Sequence, residues 1–146
     1  MEENINALDE LNKGACMGMD AIKFIIDKVD SKKFKDGLLN QYKKYEDISL
    51  KINNLYSRYN DTDTPHETNA LEKVMTWYGI EMKTITDHSD SKIAELLLKG
   101  TNMGIIEGRR LLNHKEVDKT VHELIDEYVT MQEDSANDLK IIYKEW

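Results

Sequence analysis

Apolar residues recur along this chain every three or four positions with polar residues between them. That is the period of a helix that buries one stripe and wets the other. From 4 to 29, Leu8, Leu11, Ala15, Met19, Ile22, Ile25, Ile26 and Val29 fall on one broad face, and Asp9, Lys13, Asp20, Lys23 and Asp27 fall opposite. A second helix begins after Asp30-Ser31, both good N-cap residues. It turns Phe34, Leu38, Tyr42, Tyr45, Ile52, Tyr56 and Tyr59 inward and ends at the polar run Asn60-Asp61-Thr62-Asp63. Thr64-Pro65-His66-Glu67 combines an N-cap threonine, proline at the first helical position and a capping-box glutamate. A third helix is therefore predicted over 65–87, with Leu71, Val74, Met75, Tyr78, Met82 and Ile85 as its stripe. The next apolar stripe, over 91–112, is rotated by roughly 110° from the third if the two are drawn as one helix. That mismatch places a break within Asp87-His88-Ser89-Asp90-Ser91. A fifth helix is predicted after Asn113, with Glu116 at capping-box spacing. Its inward face carries Val117, Val121, Leu124, Tyr128, Ser135, Leu139, Ile142 and Trp146.

Sliding the chain by 86 residues lays its two ends over each other without a gap. Leu11-Asn-Lys-Gly-Ala-Cys-Met-Gly18 falls over Leu97-Leu-Lys-Gly-Thr-Asn-Met-Gly104, and further along Leu38 meets Leu124, Tyr42 meets Tyr128 and Ser49 meets Ser135. A helical hairpin cannot bury its apolar face alone, but two copies packed together can. The repeat predicts an antiparallel four-helix bundle of two hairpins, 2–59 and 91–146, joined by the crossover helix 65–87. Gly14, Gly18, Gly100, Gly104 and Gly108 all fall inside predicted helices, where each costs ~1 kcal/mol relative to alanine. On or beside the apolar face, they let two backbones approach, make room for tyrosines from a facing helix, or form a dimer seam. The spacing leaves these three open.

Composition adds mainly exclusions. A chain of 146 residues supports one domain, 1–146, with a core of its own. With 20 basic against 28 acidic residues its net charge is −8, and no basic stripe offsets it, which argues against nucleic acid as a partner. No apolar run of ~18 residues is present, so no membrane span is expected. The acidic start MEENINALDE lacks a signal-peptide core, and Cys16 is the single cysteine. Both fit a cytoplasmic chain in a reducing compartment.

Two duplicated hairpins with a long crossover resemble the ferritin-like superfamily. The Lys-Gly-x-x-Met-Gly pair and the stretch Met75-Thr-Trp-Tyr-Gly79 through Gly104 look like uncharacterised bacterial ferritin-like proteins of unknown function. The resemblance implies an all-α, ferritin-like fold. It would also bring a di-iron site, with Glu from the first helix of each hairpin and Glu-x-x-His from the second. The repeat puts that motif at Glu46-x-x-Ser49 and Gln132-x-x-Ser135, where both histidines and one glutamate are missing. The di-iron centre is therefore expected to be absent and no cofactor is expected. The function expected is that of a non-enzymatic bundle acting through protein interaction or self-association, a homodimer included. The alternative is a degenerate binder of a metal or small ligand at the waist of the bundle.

Few other residues carry candidate chemistry. Glu107, beside Gly104 and Leu111, is either a lone metal ligand or an acid paired with Arg110. Glu46 and His88, the latter in the Asp87-His88-Ser89-Asp90 break, are the other weak metal candidates. Trp77 and Ile80 lie off the main stripe of the third helix, where they are either a contact surface or covered by the loop 60–64.

Overall fold

The computed structural model describes residues 2–59, 76–79, 81, 89–114 and 116–145. Among them every regular element is helical. Helix α1 spans Glu2–Ile25 and tightens into a 3-10 turn at Ile26–Lys28. Helix α2 spans Lys32–Tyr56, α3 spans Asp90–His114 and α4 spans Lys119–Glu145. Residues 76–79 and 81, from the middle of the expected crossover helix, are also helical. The rest of that helix lies outside the described residues, as do its Thr64-Pro65-Glu67 start, Ile80 and His88. No helix among the described residues is long and apolar enough to cross a membrane.

The start signals act as their chemistry demands. Ser31 Oγ accepts the Phe34 N–H at 3.2 Å and caps α2, and Ser89 Oγ accepts the Lys92 N–H at 3.4 Å at the start of α3. The break expected at 87–91 is thus the entry to α3. The same region holds α2. The Asp90 carboxylate accepts the N–H groups of Asp30 at 2.9 Å and Ser31 at 2.8 Å, a charge-assisted cap supplied from 60 residues away. Replacing Asp90 with Ala is expected to cost about 1 kcal/mol, read as a lowered denaturant midpoint with an unchanged m-value. An unaltered midpoint would mean that water serves those donors equally well.

One start signal misleads. Asn113 lies inside α3, and Glu116 to Asp118 are irregular backbone before α4. Two side chains at the start of α1 override the local capping box: Glu3 Oε2 accepts the Glu116 N–H at 3.1 Å, and buried Asn4 Oδ1 accepts the Asp118 N–H at 2.8 Å.

These contacts fix the directions of the helices. Short turns make α1–α2 and α3–α4 antiparallel hairpins, and each helix packs most extensively on its hairpin partner. Tyr45 beside Gln132, the Lys51–Glu127 ion pair, and Tyr59 Oη donating to Asp118 Oδ2 at 2.8 Å make α2 and α4 antiparallel as well. Helices α2 and α3 therefore point the same way. Phe34, Leu8, Leu11, Ile25, Ile52, Ile93, Ile125 and Leu139 fill the shared core.

Burial refines the repeat. Between α1 and α3 the buried positions match at the expected offset of 86, as in Ala7/Ile93, Leu8/Ala94, Leu11/Leu97 and Ile25/Leu111. Between α2 and α4 they match at 87: Phe34/Val121, Leu38/Ile125, Gln41/Tyr128, Tyr45/Gln132, Ile48/Ser135 and Ile52/Leu139. The gapless pairing of Tyr42 with Tyr128 and Ser49 with Ser135 is corrected by one residue. The cause is the turn after α3, which is one residue longer than the turn after Lys28.

Candidate functional site

A cavity of about 540 Å³ lies between α1 and α3, over residues 10–22 of one and 97–111 of the other. Its walls are the repeated motif. Leu11 and Leu97, Gly14 and Gly100, Met17 and Met103, and Gly18 and Gly104 line it as equivalent pairs, and Gly108 is the fifth glycine in its wall. Both Trp77 and Tyr78 close against it from the crossover segment. Trp77 is half-buried, with its ring edge-on to Tyr78 at 4.6 Å between centroids, and packs against the core.

Each glycine is explained by the side chain lying over it. A Cβ at Gly18 would stand 2.5 and 2.7 Å from Tyr45 Cε1 and Cε2. At Gly100 it would stand 2.7 Å from Tyr78 Oη, and at Gly108 2.5 Å from Val129 Cγ2. The same atom at Gly14 would strike the Tyr128 hydroxyl, and at Gly104 the Gln132 carboxamide. Of the three readings open in the sequence, room for bulky neighbours from facing elements is the one the geometry contains. Real Cβ atoms do not make such contacts, so the helix-propensity cost of glycine is the condition for seating this polar floor.

The floor carries two tyrosines and two glutamines. Gln41 and Tyr45 from α2, and Tyr128 and Gln132 from α4, are all buried and all line the cavity. Both pairs have i, i+4 spacing, with the residue types exchanged between the halves. The Tyr45 and Tyr128 rings are 6.4 Å apart, and Gln132 Nε2 donates to Tyr45 Oη at 3.5 Å. Burial pushes the Tyr45, Tyr78 and Tyr128 hydroxyls above the ordinary phenol range. For Tyr78 and Tyr128 the neighbouring Tyr45 adds to the rise, while the Gln132 amide opposes it at Tyr45 and Tyr128. These phenols are neutral hydrogen-bonding groups at any ordinary pH. The buried Gln132 Oε1 has no hydrogen-bond partner.

The expected metal candidates do not converge here. Glu46 is exposed on the outer face of α2, because the buried i, i+3 positions are Tyr45-x-x-Ile48 and, in α4, Gln132-x-x-Ser135. Ser135 Oγ is turned to Met131 Sδ at 3.9 Å. Glu107 reaches the cavity rim, but its side chain is 59% exposed and accepts from Arg110 Nη1 at 2.8 Å. Of the acidic residues around His88, Asp90 is committed to the α2 cap. Among the described residues no three His, Cys, Asp or Glu side chains cluster as a metal site.

Tyr45 and Tyr128 are legible in the sequence as inward-facing residues, but the two glutamines of the floor are not: Gln41 and Gln132 are polar residues at core positions, and the repeat marks Gln132 only as a lost iron ligand. The available signal was the pair of i, i+4 Gln/Tyr spacings, visible once the second helices are aligned with one extra residue. Comparison of the chain with protein-family models, curated proteins and solved structures gives no match.

Proposed function

We propose that this chain is a ferritin-like bundle of two duplicated hairpins that works as a non-catalytic holder of an apolar small molecule, bound in the cavity between α1 and α3. The observation that carries the reading is the coincidence of repeat and cavity: the Leu, Gly, Met and Gly shared by α1 and α3 line it from both sides. Residues needed only for bundle packing would repeat around the whole helix interface. The volume falls in the range of small-molecule sites, and the lining is largely apolar with a few convergent polar groups. The parallel α2 and α3 and the matched burial of both halves support the ferritin-like architecture. The donors at the waist are phenols, carboxamides and a serine. Such a set does not suit a di-iron centre, and it offers no group that titrates near neutrality for acid–base catalysis.

Naphthalene is the test ligand. Calorimetry is expected to show saturable binding of one molecule per chain. Thr101→Phe is expected to abolish it by filling the cavity from α3. The Thr101 hydroxyl is satisfied by the Leu97 carbonyl at 2.8 Å, so its loss leaves no buried group unpaired. Absence of saturable binding to the native protein would end the reading. Self-association is the second reading, favoured by exposed Met103 and Ile106, nearly one turn apart on α3. Light scattering that finds one mass at every concentration would remove it.

A further inference from the structure

We propose that the ligand is an uncharged, mainly apolar molecule carrying a hydroxyl or N–H donor directed at Gln132 Oε1; this rests on the cavity reading above. The walls share the Leu, Gly, Met and Gly pairs, and at the floor Tyr45 of one half faces Gln132 of the other. Gln132 Nε2 is turned to the Tyr45 hydroxyl, which leaves Oε1 as the free acceptor. Gln132 is only 3% exposed, and its Oε1 is out of reach of bulk solvent. A buried carbonyl left without a donor costs about as much as a lost hydrogen bond, and no protein donor reaches it.

The carboxamide lies against Gly104, in the cavity wall, and its one link to Tyr45 is long at 3.5 Å. Its terminal torsion is soft, so a small turn brings Oε1 to the cavity surface. A donor arriving from the cavity then completes the set. Charge is excluded by the same surroundings. The charged residues that line the cavity, Glu10, Lys13 and Glu107, stand on α1 and α3 and none belongs to the floor. A buried ion at the floor would meet only phenols and amides, too weak a set to offset its desolvation.

The test compares three probes of one ring system on the full chain: β-naphthol, which donates; β-methylnaphthalene, of the same shape without a donor; and the methyl ether of β-naphthol, which only accepts. β-Naphthol is expected to bind roughly tenfold more tightly than either of the others. Gln132→Met, of similar shape, is expected to erase that preference, so that β-naphthol and β-methylnaphthalene bind within about twofold of each other. Equal binding of all three probes would overturn the donor requirement and leave the cavity reading standing. A preference for the methyl ether would overturn it too, by showing that the site lacks a donor rather than an acceptor. Failure of every probe would overturn both. The native-protein comparison decides the matter even if Gln132→Met does not fold.

Discussion

Raising the pH above about 10 is expected to destabilise this protein, because the unfolded chain then ionises three phenols that the folded chain keeps neutral. Tyr45, Tyr78 and Tyr128 are buried, and each phenol is held above its ordinary value of 10.0 in the folded chain. The sign follows from which state releases protons. Below the unfolded value all three are neutral in both states, and the stability they contribute is complete. Above it the unfolded chain ionises while the folded chain does not, so unfolding is drawn forward until the raised folded values are reached. A tyrosine costs at most about 1.4 kcal/mol per pH unit while the pH lies between its unfolded and folded values, and the losses add where those windows overlap. Denaturant midpoints across this range should fall steeply, and the near-ultraviolet phenolate band of these tyrosines should appear only with unfolding. Tyr45→Phe is expected to make that fall with pH shallower. If all seven tyrosines titrate together near pH 10 while the helical signal persists, the floor of the cavity is open to water and the packing described here is wrong.

Gly18→Ala is expected to destabilise the protein by about 2 kcal/mol, the reverse of what helix propensity alone dictates. Alanine gains ~1 kcal/mol over glycine in a helix interior, but overpacking a filled core costs up to about 3 kcal/mol. The new methyl group would press on ring carbons of Tyr45, which is buried and pairs with Tyr128 and Gln132. The ring cannot swing away without breaking that floor. A drop in Tm of about 6 °C is expected for a domain of this size. Gly37→Ala is the matched control. Gly37 lies inside α2 and a Cβ there meets nothing within 4 Å, so the substitution is expected to raise stability by about 0.5–1 kcal/mol. Were both alanines stabilising, the tyrosine ring would not occupy the space that Gly18 leaves.

The same contrast shows how far the sequence could be read. Gly18 and Gly37 are indistinguishable as letters in a helical stretch, and only the neighbour above each decides its sign. Ser31 as a cap was legible because a cap is settled within one turn. Asn113 as a cap was not, because Glu3 and Asn4 reach the 116–118 segment from the other end of the chain. Glu46 was placed one position off the buried register by an alignment that lacked a single residue in the turn after α3. At 100° per residue one such slip turns a core position outward.

The sequence by itself determined that the chain is helical, where α2 and α3 start, and which motif the two halves share. These depend on spacing and caps, which act over one or two turns. Only the tertiary structure decided that the shared motif lines a cavity, that tyrosines and a glutamine occupy the space left by its glycines, and that one carbonyl there lacks a donor. Those facts depend on the distance and rotation between helices far apart in the chain, quantities that no local pattern encodes.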